Sequence, residues 1–144
     1  MRSYPDYYYQ QSAVIPVRGQ GESLRVLLIS SRTRKRWIIP KGIVEPGLTP
    51  ATSAAKEAME EAGIAGQVFP ESIGAFEYEK WNGICVAEVF VMQVEEVRDH
   101  WLESYRDRVW LPLDEAVQRI DEAPLQAMMR QVPEFLARVT GCVP

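Results

Sequence analysis

Cysteine and histidine are scarce in this chain, with only Cys85, Cys142 and His100 present. Two cysteines so far apart follow no metal-ligand spacing, which excludes a zinc site of the finger or ribbon kind. They are expected to be free thiols in a reducing compartment. No apolar run approaches the ~18 residues a membrane-spanning helix needs. The first eleven residues are polar and tyrosine-rich, without the apolar core of a secretory signal. Basic residues are not in excess: the net charge of −4 leaves no global footprint for nucleic acid or an anionic membrane. Internal repeats and low-complexity tracts are also lacking. The expectation is a soluble cytoplasmic protein, with neither membrane nor nucleic acid as a partner and a homodimer left open.

What is there fits one domain over 1–144, with an N-terminal arm at 1–11 and a C-terminal helical segment at 121–144. Apolar residues make up 47% of the chain, enough to build a core without disulfides. The β-branched run 12–18 and the near-continuous apolar run 24–30 predict strands, the second buried on both faces. Short strands are expected at 37–39 and 109–111, strand pieces within 67–78, and a longer strand over 84–94. A basic loop covers 33–36, and a loop with Gly42, Pro46 and Gly47 covers 42–49. Thr49 as N-cap, Pro50 at the first helical position and Gly63 as terminator bound a helix over 50–62. Further helices are expected at 114–120 and 124–139, the latter bent or divided by Pro133. Strands interleaved with helices predict an α/β sandwich with a mixed sheet.

The helix over 50–62 carries the most chemistry. Ala55, Ala58, Met59 and Ala62 recur at i, i+3, i+4 and i+7 and form a small apolar stripe. Glu57, Glu60 and Glu61 fall on the other face, also at i, i+3 and i+4. Three crowded carboxylates repel one another unless a cation or solvent compensates. They also sit near the C-terminal end of the helix, where the macrodipole disfavours negative charge. On a helix alone, such a face is usually just the solvated side. Oxygen-rich clusters are nonetheless what hard cations such as Mg²⁺ or Mn²⁺ prefer.

The residues from Gly42 to Ile64 decide between these readings. They closely resemble the Nudix box, whose pattern is G-x5-E-x7-R-E-U-x-E-E-x-G-U with U aliphatic. Gly42, Glu57, Glu60, Glu61, Gly63 and Ile64 stand at the required spacings, and Ala58 fills an aliphatic position. Two positions depart: the first glutamate is Leu48, and the arginine is Lys56. In this family the arginine typically holds the catalytic glutamate. Lysine keeps the charge but loses the fork geometry. Glu45, three residues before Leu48, is a candidate substitute for the missing carboxylate and equally a plain loop charge. Outside the box, Val26–Ser31, Trp37–Gly42, Trp101, Arg106, Arg108, Trp110 and Leu113–Ala116 are similar to the diphosphoinositol polyphosphate phosphohydrolase branch. The Trp-x-x-Pro-Lys-Gly stretch also resembles asymmetric diadenosine polyphosphate hydrolases.

The resemblance implies a Nudix α/β/α sandwich and a metal-dependent diphosphohydrolase. Its substrate would be a small polyphosphorylated molecule of the diadenosine polyphosphate or diphosphoinositol polyphosphate type. Glu57, Glu60, Glu61 and the backbone carbonyl of Lys41 would hold Mg²⁺ or Mn²⁺. Glu57 or Glu60 would take the proton from the attacking water, and Lys56 and Gly63 would support the box. Arg32, Arg34, Lys35, Arg36 and Lys41 place five cations in ten residues before the box, and Arg36, Lys41, Gly42, Arg32 and Arg34 are candidates for substrate contact. Arg32, Arg34 and Lys35 are as easily solvated loop charges. Tyr78, Trp81 and the N-terminal tyrosines Tyr4, Tyr7, Tyr8 and Tyr9 are candidates for stacking on a base, though packing is the commoner use. Glu88, inside an apolar strand, either faces the site as an extra carboxylate or lies at an edge. The alternative is a catalytically weak Nudix-fold module that senses a phosphorylated ligand, motivated by Leu48 and Lys56. RNA decapping would need a larger basic surface than this composition offers.

Overall fold

A computed structural model of the protein describes residues 8–141. Its centre is an eight-stranded mixed sheet. Strand β1 (Tyr8–Arg18) lies parallel to β7 (Gly83–Val97), paired from Tyr8 opposite Ile84 to Val17 opposite Gln93. Residues 8–11, expected in an arm, therefore belong to the central strand. Hairpin partner β6 (Gly74–Lys80) and strand β5 (Ile64–Val68) both run antiparallel to β7.

The other edge of β1 changes partner along its length. Near its end, Val17 and Arg18 pair with β2 (Arg25–Ser30). Near its start, Gln11, Ser12 and Ala13 pair with β4 (Lys41–Ile43). The second pairing makes a strand out of residues expected to begin a loop. Val14 N–H donates to the Pro40 carbonyl at 3.0 Å, between the two partners. The sheet is thus split beside β1, and the split is where a cleft opens. Strands β3 (Trp37–Ile38) and β8 (Arg108–Pro112) complete the sheet on either side of β2.

Alternation along the strands sends side chains into two cores. Ala13, Ile15, Val17, Val26, Leu28, Val89 and Val91 face α2 (Leu113–Arg119), α3 (Ala123–Arg130) and α4 (Val132–Thr140). Val14, Leu27, Ile29, Phe90 and Met92 face α1 (Pro50–Glu57) and the turn that follows it. Burial of β2 on both faces is thus borne out, and the architecture is the expected α/β/α sandwich. Pro133 occupies the first turn of α4 and divides α3 from it, where a proline needs no N–H donor.

Candidate active site

The acidic helix begins as its sequence dictates. The Thr49 hydroxyl accepts from Thr52 N–H at 3.1 Å, Thr49 N–H donates back to the Thr52 hydroxyl at 2.9 Å, and Pro50 follows. Its second half departs from expectation. From Ala58 to Ala62 the winding is π-helical, ending on Gly63 in the left-handed region at φ 66°. Such turns are rare and concentrate at functional sites. The apolar stripe is shifted as well: Ala54, Ala58 and Ala62 are in the core with Ala51 and Ala55 against it, while Met59 is only half-buried and outside that core. Spacing by four, not the expected mixture of three and four, follows the side of the helix nearest the sheet.

The three glutamates do not occupy equivalent places. Glu61 is 6% exposed, whereas Glu57 and Glu60 are half-buried. Glu57 and Glu61 are hydrogen-bonded to each other. Burial, that bond and the charge of Glu57 push the Glu61 carboxyl up to about 9, so Glu61 carries the shared proton. Burial also raises Glu57; the bond from Glu61 opposes that shift, and the charges of Glu60 and Glu103 add to it. Glu60 instead leans toward Lys56, 3.7 Å away. Gly42 forms the floor under Glu57: a Cβ there would lie 2.2 Å from the Glu57 carboxyl carbon. Lys41 N–H, on the same strand, points to Glu61 Oε1 at 3.4 Å.

Among the described residues, no three acidic, histidine or cysteine side chains already converge as an ion shell. The donor set nevertheless fits a hard divalent cation in kind. Two neighbouring carboxylates that share one proton, Glu61 buried and Glu57 half-buried, carry negative charge that a cation could meet in the proton's place. Glu60 would have to turn from Lys56 to join it.

These carboxylates line one wall of a cleft of about 730 Å³. Arg32, Arg36, Lys41 and Lys80 line the cleft as well. Arg36 pairs with Glu122 at 3.2 Å. The Lys41 ammonium lies 4.1 Å over the Tyr78 ring. Burial lowers the Lys41 pKa, Glu122 opposes that shift, and the neighbouring Lys80 and Arg36 reinforce it. Arg34 does not belong to this wall. It is exposed, paired with Asp107 at 2.6 Å, and outside the cleft lining, because the loop turns it away at φ 60°.

Other expectations fare unevenly. Lys56 does not brace a box glutamate in the manner of the family's arginine. Its ammonium sits 2.6 and 2.7 Å from the two oxygens of Glu45, and Glu60 is the more distant partner. That contact commits Glu45, which lies outside the cleft lining. Glu88 is half-buried, on the α1 side of the sheet beside its fully buried β1 partner Ser12, and does not line the cleft. His100 is exposed and outside it. Trp81 lines the cleft at its mouth, 49% exposed, with its ring 5.1 Å from that of Tyr9. Tyr78 stacks on Phe76, and its hydroxyl donates to Gln11 Oε1. Tyr4 and Tyr7, and Cys142, lie outside the described residues.

One carboxylate escaped notice in the sequence. Glu103 lines the cleft near Glu57 and Glu61, and its Oε1 accepts from Arg106 Nε at 3.1 Å and Nη2 at 2.8 Å. Arg106 is 6% exposed and also donates to the Ser30 carbonyl at 2.8 Å. The signal was the Trp101–Arg108 stretch itself, where Glu103 stands among residues of family resemblance but without a box spacing to mark it.

Comparison with known proteins agrees with this geometry. The NUDIX domain model matches residues 8–134. Diphosphoinositol polyphosphate phosphohydrolase 2 of Rattus norvegicus is 31% identical over 142 residues, covering 95% of this chain and 74% of the relative. Nudix hydrolase 16, mitochondrial, of Arabidopsis thaliana is 34% identical over 107 residues, covering 68% of this chain and 59% of the relative. Among solved structures, a C. elegans Ap4A hydrolase superposes with a TM-score of 0.75 at 22% identity, covering 91% of this chain and all of that one, which speaks to the fold. A domain-wide family match, the sandwich and the glutamates gathered in one cleft lead to one assignment: the chain belongs to the Nudix family and is a diphosphohydrolase of the Nudix type.

Proposed function

We propose that the enzyme cleaves a phosphoanhydride bond in a small, highly phosphorylated substrate, with Mg²⁺ or Mn²⁺ as its cofactor. The observation that carries this reading is the lining of a single cleft by Glu57, Glu60 and Glu61 together with Arg32, Arg36, Lys41 and Lys80. Glu57, Glu60, Glu61 and the Lys41 carbonyl would hold the cation. What a bound divalent cation supplies is charge against phosphate oxygens and a lowered pKa for water. The chain's own groups do the rest. Arg36 and Lys41 bind and orient phosphates through charge-assisted hydrogen bonds. Glu57 or Glu60 takes the proton of the attacking water. Gly42 keeps the floor beneath Glu57 open, and Gly63 ends the helix so that the carboxylates stay at the cleft.

The substrate is of the diphosphoinositol polyphosphate or diadenosine polyphosphate type. Several cations in one cleft suit a ligand with several phosphates, and the relatives at about 31% identity are named for the first type. The test is a substrate panel with products identified by mass, run on the wild type, Glu60→Gln and Glu61→Gln with Mg²⁺. The wild type should release phosphate or nucleotide and both variants should lose at least tenfold, on the order of 1.4 kcal/mol. Equal activity in all three proteins would refute the cation assignment.

A further inference from the structure

The last carbonyls of a helix have no partner within it and need donors from elsewhere. In this helix, one segment supplies four of them. Glu103 N–H donates to the Glu60 carbonyl at 3.0 Å, and Arg98 N–H donates to the Gly63 carbonyl at 2.8 Å. Between them, Trp101 Nε1 donates to the Glu61 carbonyl at 3.0 Å, and Arg108 Nη1 to the Ala62 carbonyl at 3.0 Å. The two side chains support each other, since the Arg108 guanidinium lies 3.9 Å over the Trp101 ring. Gly63 makes room for them: a Cβ there would lie 2.8 Å from the Trp101 side chain.

Three of these donors reach carbonyls of the π-turn Ala58–Ala62, which carries Glu60 and Glu61, and the fourth reaches the Gly63 that ends it. A π-turn is an uncommon conformation that occurs mostly as a single turn within an α-helix, often at a functional site. Trp101 and Arg108 both lie outside the cleft lining. We propose that Trp101 and Arg108 are positioning residues that set the cation affinity of Glu60 and Glu61 from behind, by holding the carbonyls of the turn that carries them. Without these donors the turn relaxes toward ordinary i→i+4 winding, which rotates Glu60 and Glu61 relative to Glu57. This rests on the cation reading above.

The test uses Trp101→Phe, which keeps an aromatic ring beside Gly63 and Arg108 and removes the N–H. Arg108→Met is the second variant. Mn²⁺ binding, followed without substrate by the electron paramagnetic resonance of the free ion, should weaken about tenfold in each, or about 1.4 kcal/mol. Half-saturating Mg²⁺ in turnover should rise by the same factor, with kcat at saturating Mg²⁺ within about threefold of wild type. Phe135→Leu, on the core-facing side of α4, serves as a destabilised control and should leave the Mn²⁺ Kd within about twofold. Circular dichroism confirms that each protein is folded at the assay temperature. Unchanged Mn²⁺ binding in Trp101→Phe and Arg108→Met overturns the positioning role. So does an equal loss in Phe135→Leu. A wild type that binds no Mn²⁺ overturns the cation reading itself, a separate result.

Discussion

Replacing Gly42 by alanine isolates the placement of one carboxylate. A Cβ at this position would lie 2.2 Å from the Glu57 carboxyl carbon and 2.4 and 2.6 Å from its oxygens. Ordinary contact begins at 3.4 Å, so the carboxyl group must retreat by about 1.2 Å, which a flexible glutamate can do. The backbone offers no objection, because Gly42 is not among the glycines with positive φ. Reduced freedom of the unfolded chain favours alanine by about 0.4–1 kcal/mol. The fold should therefore survive with a thermal midpoint within about 5 °C of wild type. The chemistry should not survive. Misplacing a catalytic group by about 1 Å costs on the order of 100-fold, equivalent to about 2.7 kcal/mol of transition-state stabilisation. The assay is Mg²⁺-dependent phosphate release from whichever substrate the panel identifies, with circular dichroism on the same samples. A folded Gly42→Ala protein with kcat/KM within threefold of wild type would refute the claim that the Glu57 carboxylate must rest on this strand.

Three further perturbations test other parts of the site. In chelator, Glu61 at about 9 holds a proton that the unfolded chain loses near its ordinary 4.5. Its contribution to stability is thus full below about pH 4.5 and is lost as pH rises toward 9. Thermal midpoints should fall across that window, and Glu61→Gln should flatten the fall; an unchanged slope in the variant refutes the shared proton. Arg36→Ala should raise KM about tenfold through loss of a charge-assisted contact, while Arg34→Ala stays within twofold, and equal effects would refute the division of the basic loop. Arg106→Met removes the charged partner of Glu103, leaving it the Tyr105 hydroxyl, and takes a donor from the Ser30 carbonyl; it should cost about 3 kcal/mol in urea denaturation. A loss below about 1 kcal/mol would show that Glu103 does not need its partner.

The sandwich was legible because its signals are local. The both-face apolar run of β2, the capping residues Thr49 and Pro50, and the proline dividing the last helices each announce their conformation without reference to distant parts of the chain. Strand β4 was not legible for the opposite reason. Lys41–Ile43 is a strand only because β1 offers it an open edge beside Gln11–Ala13, and three residues containing a glycine carry no strand signal of their own. The start of β1 has the same origin: polar residues 8–11 are ordered by the long parallel pairing with β7.

Within the site, spacing revealed which residues meet, and not how. The box put Glu57, Glu60 and Glu61 on one surface, and all three line the same cleft. Their inequality accompanies a π-turn, and nothing in the residues Ala58–Ala62 marks that turn. The winding is supported by donors from Arg98, Trp101, Glu103 and Arg108, far along the chain. The two departures from the box can be understood in the same way. With lysine in place of arginine, a single ammonium satisfies Glu45 and leaves Glu60 at 3.7 Å. An arginine fork could serve two carboxylates in fixed directions, but a point charge serves the nearer one. Once Glu45 is engaged, it no longer stands in for the carboxylate absent at Leu48. The extra carboxylate in the cleft is Glu103, which comes from the same segment that braces the helix end. The end of the helix that carries the glutamates is thus held by the 98–108 segment, whose residues reach it only through the fold.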